Sequence, residues 1–229
     1  MSELPLAALL QLASPSLPVG AYSYSQGLES AVADGTVRDE GAVRDWLATV
    51  LEHGLASWDA TWVAALLRAH RERAGSDVIE LNEGFLASRE TRELRAEAVQ
   101  TGRSLLTLAR EIDGTGLALL DVLTALDAGD GLAYPTVWTA TAVARGIDDE
   151  PAVVAYLWSW LENSVLAAMK TLPLGQRAGQ RVLIELGSRL ATLAATAIAR
   201  PLDQCCNLLP GLALASMEHE TQYTRLFRS

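Results

Sequence analysis

Three observations predict an all-α protein, a single compact bundle of about ten helices with no sheet. Ala and Leu supply 76 of 229 residues, whereas Ile and Val total 20. Ala and Leu are among the best helix formers, and the β-branched residues favour strands. Apolar residues recur at 3-4-3-4 spacing: Leu183, Leu186, Leu190, Leu193 and Ala197 form one seam, and Val154, Leu157, Leu161, Val165 and Met169 another. That period is helical. Finally, Pro135, Pro151, Pro173, Pro201 and Pro210 each open an apolar-periodic stretch, where a helix tolerates the missing N–H. Sandwiches, barrels and doubly wound sheets are excluded.

The helices are expected at 4–13, 24–33, 39–54, 57–73, 77–87, 90–111, 116–127, 135–145, 151–171, 175–199 and 211–220. Asp34-Gly35, Asp113-Gly114 and Gly129 to Gly131 break the first half. Val43, Leu47 and Val50 mark the core face of the third helix, and Trp62 and Leu66 that of the fourth. Trp158 and Trp160 cannot share one seam, so one of them covers a second surface. Prolines 15 and 18 forbid a regular helix over Ser14 to Gly27, leaving a loop that leads into the Ser25 helix. No connection is long or polar enough to be a linker, and no repeat is evident. Residues 1–229 therefore read as one helical domain, with 216–229 set apart. That tail carries Tyr223, Leu226 and Phe227 beside Arg225 and Arg228. Aromatic residues and Arg are enriched among interface anchors, so the tail reads as a docking segment.

The formal net charge is −10, from 18 basic and 28 acidic residues, which disfavours nucleic acid as a partner. All of this excess lies within residues 1–130. Seventeen of the 18 basic residues are Arg, and Lys170 is the one Lys. Cys205 and Cys206 are adjacent and provide no disulfide framework; they read as small packing residues near a helix start. The N-terminus lacks a basic n-region, and no apolar run is expected to reach the ~18–20 residues of a spanning helix. These features point to the cytoplasm and away from a membrane.

Catalytic constellations are missing. Lys170 follows Ala168-Met169 without a glycine-rich turn, so there is no P-loop. His219-Glu220 has no second His at metal-ligand spacing. There is neither a CxxC nor a Gly-x-Ser-x-Gly motif. His53, His70 and His219 read as surface or capping residues.

Three segments carry a family signature. Leu17-Pro18-Val19-Gly20-Ala21-Tyr22-Ser23-Tyr24-Ser25-Gln26-Gly27-Leu28-Glu29 resembles the N-terminal motif of the urease accessory proteins of the UreF family. Leu172-Pro173-Leu174-Gly175-Gln176, followed by Gly179-Gln180-Arg181, is similar to its central motif. His219-Glu220-Thr221-Gln222-Tyr223-Thr224-Arg225-Leu226-Phe227-Arg228-Ser229 is similar to its C-terminal motif. The resemblance implies a non-catalytic, all-helical homodimer. It also implies a complex with UreD (called UreH in some organisms) and the GTPase UreG, which delivers nickel to apo-urease, with no cofactor or stably bound metal of its own. By the same resemblance, Tyr22, Arg225 and Lys170 match positions tied to UreG recruitment and coupling, and the tail matches the segment that orders on UreD. The partner-binding set is then Tyr22, Ser23, Tyr24, Glu29, Lys170, Gln176, His219, Glu220, Gln222, Tyr223, Arg225, Leu226, Phe227 and Arg228. Where the family often has His-Ser, this chain has Tyr24-Ser25.

Structural readings stand beside these. Lys170 suits the C-terminal turn of its helix, where the dipole favours a cation. Tyr22 can anchor a buried loop, Gln176 can cap a helix, and the tail can fold onto its own domain. The alternative function is a GTPase-activating protein that supplies a catalytic Arg to UreG.

Overall fold

The computed structural model describes residues 3–113 and 116–229. Its elements are α1 (Glu3–Ala13), α2 (Leu28–Ala33), α3 (Glu40–Val50), a π-helical segment (Leu51–Asp59), α4 (Ala60–Glu72), α5 (Gly75–Ala87), α6 (Arg92–Asp113), α7 (Leu120–Ala128), α8 (Tyr134–Ala144), α9 (Asp149–Thr171), α10 (Gln176–Gly187), α11 (Leu190–Ala199) and α12 (Pro210–Thr221). Short 3-10 turns occupy Ala21–Ser23 and Leu202–Gln204. Among the described residues there is no strand. The break expected at Asp113-Gly114 lies partly outside the described residues.

Helix α9 is the hub, packed against α1, α2, α3, α4, α10 and α11. Its buried positions run from Ala152 to Ala168 and include Leu157, Leu161 and Val165, the seam read from the sequence. Helix α8 lies between α4 and α6. Eight of its residues in unbroken succession, Pro135 to Ala142, are buried. A helix enclosed all round has no polar face to show.

Four expected boundaries differ; the simplest is the helix expected at 116–127, which starts only at Leu120 because Leu119 takes a left-handed φ of +60°. The separate helices 39–54 and 57–73 are one rod from Glu40 to Glu72, joined through the nine-residue π segment. The wide turn absorbs a slip in the apolar phase that reads as a break in the sequence. It leaves Leu51, Leu55 and Asp59 all buried. The expected helix 175–199 is divided at Ser188-Arg189 into α10 and α11. Arg189 is drawn aside there to ion pairs with Glu52 and Glu185, while Val182, Leu183, Leu186, Leu190 and Ala194 stay buried. Within Gln176–Ala199 an 18-residue window reaches a mean hydropathy of 1.5, but Glu185, Ser188 and Arg189 interrupt it, so it is no continuous apolar run; its buried residues pack on α9. The expected helix 24–33 starts only at Leu28, because Gly20 and Gly27 take φ of +80° and Gln26 takes +54°. At Gly27 a side chain is excluded as well: a Cβ there would lie 2.9 Å from the Ser216 nitrogen of α12.

Two further corrections concern small side chains. His70 and His219 are buried, at 1% and 0% exposure, rather than at the surface; His53 is exposed. The His70 ring faces the Thr136 carbonyl at 3.0 Å, and burial pushes its pKa down to about 4. Cys205 is partly buried, Cys206 is exposed, and both are free thiols.

Candidate partner-binding site

The SPSLPVG loop delivers Tyr22 to the surface, where it is 59% exposed. Lys170, in the last turn of α9, lies beneath it with its Nζ 5.7 Å from the Tyr22 ring centroid. The same Nζ lies 5.6 Å from the centroid of Phe227 in the tail. Both distances are within cation–π range, an interaction of about 0.5–1 kcal/mol at exposed sites. Residues from positions 22, 170 and 227 thus meet around one ammonium group.

The tail is not free. After α12 it turns back across the body, and Phe227 is buried to 6% exposure. Two carboxylates hold it. Glu29 of α2 accepts the Leu226 N–H at 2.6 Å and the Phe227 N–H at 2.8 Å. Glu93 of α6 accepts from Arg225 Nη1 at 2.7 Å. The His219 ring lies between these carboxylates, its Nδ1 2.7 Å from Glu93 and its Nε2 3.3 Å from Glu29. The three side chains satisfy one another rather than converge on an empty point. Among the described residues, no group of three or more His, Cys, Asp or Glu side chains is arranged to hold a metal ion. Further along the tail, the Arg228 N–H donates to the Ser23 carbonyl at 2.8 Å, and Arg228 Nη1 to Gln100 Oε1 at 3.3 Å. Tyr24 is buried and also donates to Gln100; burial pushes its phenol pKa up, with Arg228 opposing. The Ser229 carbonyl accepts from the Ser25 N–H at 2.7 Å and the Gln26 N–H at 3.1 Å.

The sequence-derived residues therefore separate into two groups. Tyr24, Glu29, His219 and Phe227 are buried and hold the tail against its own domain. Glu220 accepts the Glu93 N–H, and Gln222 bonds within the tail to the Thr224 carbonyl. Tyr22, Lys170, Gln176, Tyr223, Arg225, Leu226 and Arg228 face solvent. Tyr223 is fully exposed and Leu226 is 62% exposed. Gln176, the first residue of α10, is no part of the Lys170 contact.

Sequence reasoning missed Glu93, Glu97 and Gln100. Their spacing of four and then three places them on one face of α6; it is the face that receives the tail. Beside it lies a partly open pocket of about 110 Å³, lined by residues that include Tyr24, Gln26, Asp59, Glu97, Tyr134 and Tyr156. The π segment turns Asp59 inward to Arg89, 2.9 Å away, and the Arg89 guanidinium stacks on Phe85 at 4.3 Å.

Residues 37–187 match the family model described as UreF. The chain belongs to the UreF family. It is 54% identical over 226 residues to the urease accessory protein UreF of Azoarcus sp. (strain BH72), covering 99% of this chain and 96% of that one. The UreF protein of Dechloromonas aromatica (strain RCB) is 51% identical over 226 residues, 99% and 98% of the two chains. That of Janthinobacterium sp. (strain Marseille) is 43% identical along the full length of both. The family match spans the helices from α3 to α10, including α6, which receives the tail, and Lys170 in α9. The relatives extend the likeness to the first motif and the tail.

Proposed function

We propose that this UreF-family chain is a non-catalytic factor in urease maturation. It docks UreD (UreH) through residues 216–229 and presents Tyr22, Lys170 and Arg225 to the GTPase UreG. Nickel is cargo of the assembled complex on its way to apo-urease. The chain acts as a cytoplasmic homodimer, with no cofactor of its own and neither nucleic acid nor membrane as a partner.

The observation that supports this reading is the position of Lys170 between Tyr22 and Phe227. A tail bound to one partner can thereby alter the surface offered to another. The exposed Tyr223 and Leu226 are anchors of the kind that cost most when truncated at interfaces. Ser23, Tyr24, Glu29, His219, Glu220 and Phe227 set the tail's path, and Arg228 pairs with Gln100.

Co-expression with UreD and UreG, followed by mass measurement of the purified assembly, tests the reading. Wild type yields a three-component complex. Tyr223→Ala with Leu226→Ala loses UreD while keeping its helical circular dichroism. Lys170→Ala keeps UreD but weakens UreG binding or alters GTP hydrolysis. Unchanged assembly and hydrolysis in both variants overturns the assignment. For the arginine-finger alternative, Arg225 would have to leave Glu93, and Arg225→Ala would slow hydrolysis without weakening binding.

A further inference from the structure

We propose that the pocket beside α6 is a binding site for a small ammonium cation of the methylammonium class, held by the Glu97 carboxylate and the Tyr134 and Tyr156 hydroxyls.

Five segments supply the polar wall. The π segment gives Asp59, the turn after α5 gives Arg89, and α6, α8 and α9 give Glu97, Tyr134 and Tyr156. Asp59 and Arg89 neutralise each other at 2.9 Å. The unpartnered nitrogen of Arg89, Nε, is buried out of reach of the pocket. Among the described residues no Lys or Arg forms an ion pair with Glu97. Its Oε1 accepts from Gln26 Nε2 at 2.7 Å and its Oε2 from the Ser229 hydroxyl at 3.2 Å. Both donors are neutral, so the wall carries one uncompensated negative charge when Glu97 is ionised.

The tyrosines are a second, independent observation. Tyr156 is 7% exposed, and its ring centroid lies 6.2 Å from that of Tyr134. Both line the pocket, and neither hydroxyl has a hydrogen-bond partner among the described residues. A buried phenol without a partner is costly. Burial pushes the Tyr156 pKa up, Asp59 adds to this against Arg89, and Glu97 adds again. The same carboxylates that disfavour a phenolate there favour a cation.

Size and donor chemistry select the ligand. A volume of about 110 Å³ is well below the ~300–1,000 Å³ of drug-sized and cofactor sites, so only a few heavy atoms fit. An ammonium group carries three donors around a compact charge. One reaches a remaining lone pair of Glu97, and the other two reach the phenol oxygens. A guanidinium fork takes both carboxylate oxygens at once, and here both already accept. Among the described residues no third metal-ligating side chain joins Asp59 and Glu97, so the wall suits an N–H donor rather than a bare metal ion. Leu55 and Leu94 on the same wall cover a methyl group.

Titration of the full chain with methylammonium chloride, at constant ionic strength, tests the site through the carbon-13 signals of labelled tyrosine rings. It is run at pH 8, because burial pushes the Glu97 pKa up to about 7. Two heavy atoms limit the affinity to the millimolar range. The Tyr134 and Tyr156 signals are expected to move and saturate. Sodium chloride and tetramethylammonium chloride, which bring no N–H donor, leave them in place. Glu97→Gln weakens binding at least tenfold. Shifts that do not saturate, equal saturation by sodium, or undiminished binding by Glu97→Gln overturn the proposal. A nuclear Overhauser contact between the ligand methyl and the Tyr156 ring in wild type is independent of how the variant folds. Its presence supports the site, and its absence at saturating methylammonium overturns it.

Discussion

Lys170 Nζ lies 5.6 Å from the Phe227 ring centroid, which joins the end of the central helix to the tail. The contact also fixes how far each residue matters. Phe227 is buried whereas Lys170 is exposed, so the ring contributes mainly by removing apolar surface from water, and the cation adds less than ~1 kcal/mol. Phe227→Ala is expected to release the tail, seen as rapid proteolysis after Arg225 and Arg228 with no change in global melting. Lys170→Ala leaves the cleavage rate within about threefold of wild type. Equal cleavage of the two variants would refute this ranking.

His219→Ala removes the one group that separates the Glu29 and Glu93 carboxylates. Both are nearly buried. Arg225 and the two backbone amides still serve them, but a cavity and two facing carboxylates remain. Breaking one member of such a buried network costs about 3 kcal/mol. Because the contact joins α2, α6 and α12, the loss is expected in urea denaturation of the whole chain as a lowered midpoint. An unfolding free energy that differs from wild type by less than ~0.5 kcal/mol would show that the tail and α12 detach before global unfolding.

Gly27 and Gly35 share φ near +80° but differ in surroundings. A Cβ at Gly35 meets nothing within 4 Å, whereas one at Gly27 meets the backbone of Ser216 and Ala215. Gly35→Ala therefore costs about 1 kcal/mol of backbone strain. Gly27→Ala costs more, about 2–3 kcal/mol, because α12 must also shift. Paired thermal melts check the order, and equal losses contradict it.

Much of the fold was legible because Ala, Leu and helical spacing dominate the chain. The α9 seam and the position of Lys170 in its last turn follow directly from Val154 to Met169. The π segment was hidden, because a widened turn at Gly54 disturbs the apolar phase as a loop does. The split at Ser188-Arg189 was hidden because Leu186, Leu190 and Ala194 keep helical spacing across it. The destination of the tail was not legible either. Glu93, Glu97 and Gln100 share a face of α6, but surface helices carry acidic residues at such spacing without any partner. His219 reads as exposed until Glu29 and Glu93, more than a hundred residues distant, are brought to either side of it.

His70 gives the stability of the chain a pH dependence of its own. Its ring is buried between α4 and α8, with the Thr136 carbonyl as its only partner among the described residues, and its pKa falls from 6.5 to about 4. The unfolded chain takes up a proton at pH 6.5 that the folded chain refuses until about pH 4. The stability contribution is thus fully present above pH 6.5, is lost as pH falls from 6.5 toward 4, and levels off below. The loss amounts to about 3 kcal/mol, an order-of-magnitude figure for a shift of that size. Other groups titrate in the same range, so the measurement is a difference. Urea unfolding of wild type and His70→Gln at pH 7.5 and pH 4.5 is expected to show a smaller acid loss for the variant, by about 2–3 kcal/mol. If both proteins lose the same stability, His70 is protonated alike in the folded and unfolded chains.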